Sequence, residues 1–268
     1  MHPMAPFQFN ALAQRLQNKR ILVTGAGTGI GRSAAIRLAQ EGALVGLVGR
    51  RVDKLEEVAD VIRRAGGVSL VLPADVSDGE QIARVVDTVV STWGGLDVLV
   101  AVAGIELYHQ GDKRVHELDL ATWQKIMDIN LTGMFLSCKY AVGAMLAGGN
   151  GGSVIITGSP TAQYGHGQTE HAYSASKAGC HGLVRVMAND YAPDGIRVNC
   201  VVPGFIDTAV NDLVFAEPAV LEAACQTIPA RRAGHPDECA GIYAWLASDD
   251  ASYTTGAFFV VDGGQTAV

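Results

Sequence analysis

The chain has 268 residues, a net charge of −7, 18% charged residues and 32 glycines. That length suits a single α/β unit, and no linker or low-complexity run divides it. Dispersed Lys and Arg on an acidic chain argue against a nucleic-acid partner, which needs a clustered positive face, and no unbroken apolar run reaches the ~18 residues of a membrane span.

Residues 1–17 lack the apolar core of a signal peptide and read as a short arm; residues 18–268 read as one domain. Cys138, Cys180, Cys200, Cys225 and Cys239 form no short-spaced metal-ligand pair, so no metal site is expected. They suit small core residues in a reducing compartment, which makes the cytoplasm the expected location. From Arg20 onward, β-rich runs recur between amphipathic stretches: "RILVTG", "ALVGLVG", "SLVLPADV", "LDVLVAVAG", "GSVIITGS", "IRVNCVVPG" and "AFFVVDGG". Nearly continuous apolar strands are covered on both faces, as in a parallel sheet. The pattern predicts a doubly wound α/β domain with seven parallel strands and helices on both faces. In such a sheet, ligands sit beyond the carboxyl ends of the strands. Those ends read Gly25, Gly49, Asp75, Gly104, Ser159 and Pro203-Gly204.

The first strand runs straight into a glycine turn and a helix, "ILVTGAGTGIGRSAAIRLAQ". Gly25, Gly29 and Gly31 let the backbone turn sharply and approach a diphosphate, while the helix N-terminus favours its charge. An acidic residue ~20 positions beyond such a turn grips a free ribose, whereas arginine suits a 2′-phosphate. Here the second strand ends without a carboxylate, and Arg50-Arg51 follow. Asp53 is the competing group, but Glu56 three residues later makes a capping box. The expectation is NADP(H), with NAD(H) as the alternative.

Within "HAYSASKAGCHG", Tyr173 and Lys177 stand at i and i+4 of a predicted helix. They could simply share a surface. As a pair beside a ligand, the ammonium would lower the pKa of the phenol from about 10.

With "TGAGTGIG" at 24–31, "YSASK" at 173–177 and "VDGG" at 261–264, the chain resembles the short-chain dehydrogenase/reductase family. More narrowly, it is similar to the branch of 3-oxoacyl-carrier-protein reductases and of many ketone, polyol and cyclic-alcohol dehydrogenases. The resemblance covers about residues 18 to 268 and implies a Rossmann domain, a carbonyl reductase activity and a homotetramer. It places a catalytic tetrad on Asn130, Ser159, Tyr173 and Lys177. Tyr173 would exchange the proton with the substrate oxygen, and Lys177 would tune it and hold the nicotinamide ribose. Ser159 would hydrogen-bond the substrate oxygen, and Asn130 would support a water leading to solvent.

Cofactor contacts are expected from Gly25, Thr28, Gly29, Ile30, Gly31, Arg50, Arg51, Asp75, Val76, Ala103, Gly104, Tyr173, Lys177, Pro203, Gly204, Ile206 and Thr208. Asp75 could equally cap the next segment. The family's Asn-Asn-Ala-Gly is here Ala101-Val102-Ala103-Gly104, which removes two bracing amides. For the substrate, Glu106, Tyr108, His166 and His171 are the polar candidates, with an apolar lid at about 205–228. The small-molecule substrate would be a ketone or secondary alcohol. An NAD-dependent dehydrogenase of a polyol or cyclic alcohol is the alternative, and a non-catalytic dinucleotide-sensing protein the remote one.

Overall fold

The computed structural model describes residues 14–108, 110–165 and 170–267. Its strands are β1 (Arg20–Thr24), β2 (Leu44–Gly49), β3 (Val68–Pro73), β4 (Val98–Ala101), β5 (Gly152–Thr157), β6 (Ile196–Pro203) and β7 (Phe258–Val261). They form one parallel sheet in the order β3-β2-β1-β4-β5-β6-β7. Successive strand residues point to opposite faces. Ile21, Val23 and Val45 therefore join one core and Leu22 and Val48 the other, and all five are buried. That two-sided demand explains the runs of Val, Ile and Leu.

The helices are α1 (Gly29–Gln40), α2 (Val52–Arg64), α3 (Gly79–Trp93), α4 (Leu120–Met127), α5 (Gly133–Gly148), α6 (His171–Tyr191), α7 (Asp212–Phe215), α8 (Pro218–Gln226) and α9 (Pro236–Ala247). Residues of α1, α2 and α9 cover one face of the sheet, and residues of α3, α5 and α6 the other. The predicted doubly wound architecture is thus the one observed. β1 lies between β2 and β4, with Thr24 level with both Val48 and Ala101. The chain winds outward in both directions from that point, which opens a crevice at the strands' carboxyl ends.

Three local readings change. The helix α2 starts at Val52 with Arg51 as its N-cap, so Asp53 lies inside the first turn and the expected Asp53–Glu56 capping box does not form. Asp53 can still favour the helix through the dipole. Leu16 is fully buried, and its N–H donates to the Glu41 carbonyl, so the folded body reaches back at least that far. Among the described residues, the helical run Leu120–Gly148 is long and apolar enough by length and composition to cross a membrane. That run is long because α4, the π-helical turn Asp128–Thr132 and α5 join end to end, with Lys125, Asp128 and Lys139 interrupting its apolar residues. In this fold Met134, Ala141 and Met145 of that run pack into the core.

Candidate active site

A cleft of about 1060 Å³ lies along the carboxyl ends of the strands. Its first wall is the glycine turn. Gly25 has φ +71°, and a Cβ there would stand 2.9 Å from the Ala103 Cα. At Gly31 a Cβ would come within 2.2 Å of the Gly25 carbonyl oxygen. Only a glycine pair lets the turn fold this tightly beneath α1. Thr28 is the α1 N-cap without a side-chain capping bond, so the helix presents its first-turn amides at the cleft, the arrangement that holds phosphate. Val102, one of the two positions where the family carries asparagine, and Ala103 are held through their own N–H groups by Thr24 Oγ1 at 3.2 and 3.3 Å.

Arg50 and Arg51 line the same end. Arg51 donates to Thr28 Oγ1 at 3.2 Å, and Arg50 stands 3.8 Å from Asp75, which keeps its exposed guanidinium near the mouth. Asp53 is not among the lining residues. Asp75 lines the cleft and accepts from the N–H and Oγ of Ser77 at 3.0 and 2.7 Å. Two arginines, with Asp53 outside the lining, form a donor set that fits a 2′-phosphate. The turn and this donor set together fit a phosphorylated dinucleotide.

The other end is built on α6. Tyr173 and Lys177 share its inner face, with the Lys177 Nζ 5.7 Å from the centre of the phenol ring and 2.9 Å from the Thr157 carbonyl, to which it donates. Ser159, at the end of β5, hydrogen-bonds the phenol and pairs with Thr161 Oγ1 at 3.0 Å. All three line the cleft. The expected lowering of the tyrosine pKa is not what the surroundings give. Burial raises it most, Glu106 and Glu170 raise it further, and the Ser159 hydrogen bond opposes them. The reason is physical: a buried phenol next to carboxyl groups resists becoming an anion.

Asn130 is fully buried in the π-helical turn. Its Oδ1 accepts from the Ile105 N–H at 2.7 Å, and its Nδ2 donates to the Ile105 carbonyl at 2.8 Å and to Ser176 Oγ at 3.1 Å. The side chain clamps the backbone of the segment after β4 to α6.

Of the cofactor positions expected from the sequence, every one lines the cleft, as do Glu106 and Tyr108. His171 is exposed and stands outside the lining. His166 lies outside the described residues. Three further residues escaped the sequence reading. Glu170 lines the cleft and hydrogen-bonds Glu106. Burial, together with Glu170 and Asp112, pushes the Glu106 carboxyl up to about 8 against the pull of Lys177. Burial also raises Glu170. Asp112, only 2% exposed, accepts from the N–H of Ala172 at 3.1 Å and of Tyr173 at 3.0 Å, capping α6 from a loop about sixty residues away in sequence. Asn211 fixes the lid start, donating to the Ile206 carbonyl at 2.7 Å. No local pattern marks Glu170 or Asp112, because each acts across a tertiary contact.

Residues 25–266 match the family model described as Enoyl-(Acyl carrier protein) reductase. The chain is 40% identical over 247 residues to the cis-4-hydroxycyclohexanecarboxylate dehydrogenase of Sinomonas cyclohexanicum, a match covering 92% of this chain and 96% of that one. A short-chain type dehydrogenase/reductase from Mycobacterium marinum superposes with a TM-score of 0.89 at 38% identity, over 94% of this chain and 97% of that one. A gluconate 5-dehydrogenase from Burkholderia cenocepacia J2315, solved in complex with NADP and tartrate, gives 0.88 at 29% identity, over 95% and 98%.

Proposed function

The chain belongs to the short-chain dehydrogenase/reductase family, and we propose that it is an NADP(H)-dependent enzyme interconverting a ketone and a secondary alcohol, with Tyr173 as its acid or base. The carrying observation is the convergence of Ser159, Tyr173 and Lys177 on one cleft whose far end holds the glycine turn and Arg50-Arg51. When bound, the nicotinamide supplies or takes the hydride, so the protein must move the proton.

Tyr173 gives that proton to the substrate oxygen in reduction and takes it back in oxidation. Ser159 Oγ, already bonded to the phenol, donates to the oxygen as charge develops there. Lys177, with its Nζ 5.7 Å from the centre of the phenol ring, supplies the positive charge that favours the phenolate. Asn130 keeps Ile105, and with it Glu106, in register with α6. The gluconate 5-dehydrogenase solved with NADP supports the same cofactor here.

Within the family we favour ring or chain ketones over thioesters on a carrier protein. The basic pair that could meet an acidic carrier is already engaged: Arg232 forms two 2.7 Å bonds to Glu238, and Arg231 binds Gln226. The segment from α7 to α8 supplies Val214, Val220 and Ala224 to the cleft and is the proposed lid. We further propose a cytoplasmic homotetramer, because Phe135 and Leu146 on α5 and Val260 on the edge strand β7 are each more than two-fifths exposed. Light scattering on the purified chain tests the assembly.

Paired titrations with NADPH and NADH, followed by nicotinamide fluorescence, test the cofactor. NADPH should bind more tightly, and Arg50→Ala should remove about tenfold or more of that preference, the worth of a charged bidentate contact. Equal discrimination in the variant would refute the arginine reading. Tyr173→Phe should abolish turnover and leave cofactor binding in place.

A further inference from the structure

The substrate half of the cleft has a one-sided charge. Leu107, Tyr108, Phe205, Val214 and Val220 give it an apolar lining. Apart from Tyr108, Tyr173 and Lys177, its ionisable groups among the described residues are Glu106 and Glu170. The lining arginines, Arg50 and Arg51, stand at the glycine-turn end, and the ammonium of Lys177 is bonded to the Thr157 carbonyl. Among the described residues, no guanidinium or further ammonium is therefore placed to receive an anionic substrate group.

The two carboxyls come from different elements, Glu106 from the segment after β4 and Glu170 from the N-cap of α6, and they hydrogen-bond each other beside the phenol. The charged and titratable groups facing Glu106 are Glu170, Asp112, Lys177 and Tyr173. Asp112 has both oxygens committed to α6 amides, so it adds negative charge and no donor. Two carboxyl groups in contact hold one proton between them, because they cannot both ionise cheaply. That proton closes the bond within the pair. The remaining oxygens are acceptors, and the pair carries one negative charge.

We propose that Glu106 and Glu170 act together as the specificity determinant of the substrate pocket, binding a second hydroxyl on an uncharged cyclic alcohol or ketone and rejecting substrates that carry a carboxylate. The inference rests on the oxidoreductase reading and adds the substrate's charge class to it. A hydroxyl donates a hydrogen bond that solvates the charge of the pair; a carboxylate meets a like charge in a low-dielectric wall. Above pH about 8, where Glu106 gives up its proton, the pair gains a second charge and its discrimination sharpens.

The test measures kcat/KM with NADP+ for cyclohexane-1,4-diol, cyclohexanol and cis-4-hydroxycyclohexanecarboxylate, using the full-length protein, Glu106→Gln and Glu170→Gln. The diol should be preferred, exceeding the carboxylate by at least about tenfold, the scale of a like-charge contact in a partly desolvated site. That ratio should rise through pH 8 in the unaltered protein, lose its pH dependence in Glu106→Gln, and shrink in both variants. Glu170→Gln gives an independent reading of the pair if Glu106→Gln fails to fold. Carboxylate turnover equal to the diol, a diol no better than cyclohexanol, or a ratio unchanged in both variants would overturn the proposal while leaving the oxidoreductase reading intact. No turnover of any of the three alcohols, nor of their ketones with NADPH, would remove both.

Discussion

Asp112→Ala should destabilise the protein and slow it. The carboxylate is buried, and it satisfies two amides at the start of the helix that carries Tyr173 and Lys177. Losing an N-cap costs about 0.5–2 kcal/mol, and stranding a buried amide about 1–3. Two amides would put the gross cost near the top of both ranges. Against it stands the relief of Glu106 and Glu170, both of which Asp112 repels. A net loss of about 2 kcal/mol is expected, which for a chain of this size lowers Tm by about 5 °C. Fraying the first turn also lets Tyr173 drift, and misplacing a reacting group by ~1 Å can cost up to about a hundredfold in rate. Differential scanning fluorimetry and steady-state kinetics on Asp112→Ala and Asp112→Asn measure both effects. Asparagine keeps one acceptor oxygen, so it should recover part of the Tm and of kcat, with KM for the cofactor unchanged in both variants. A Tm within 1 °C of the unaltered protein together with an unchanged kcat in Asp112→Ala would refute the argument.

Two predictions concern stability against pH. Glu106 has its pKa pushed up to about 8 from 4.5, so the fold holds a proton that the unfolded chain releases. Its contribution is complete below pH 4.5 and is lost as pH rises toward 8, so melting points should fall across that range and fall less in Glu106→Gln. His181 is the converse case: its ring nitrogens are buried without partners, and burial with Arg185 and Lys177 lowers its pKa to about 4. Its fold-stabilising neutrality is present above pH 6.5 and lost as pH drops toward 4, and His181→Leu should flatten the acid side of the melting profile without lowering Tm at pH 7. A steep acid slope retained in His181→Leu would assign that slope elsewhere.

What the sequence by itself determined was whatever depends on short spacing. Two-sided apolar strands, glycines in a turn where a Cβ at Gly31 would come within 2.2 Å of the Gly25 carbonyl oxygen, and a tyrosine and lysine one helical turn apart are all local facts. They were sufficient for the sheet, the dinucleotide end and the reacting pair. The tertiary structure decided what those residues face. The direction of the Tyr173 shift reversed because folding buries the phenol and brings Glu106 beside it, and Asp53 lost its capping role because α2 begins two residues early. Asp112 and Glu170 gained roles that nothing in their own neighbourhoods announces. A pKa or a buried hydrogen bond is set by whatever charge and solvent surround the group in space, and chain folding alone brings residue 106 to residue 170.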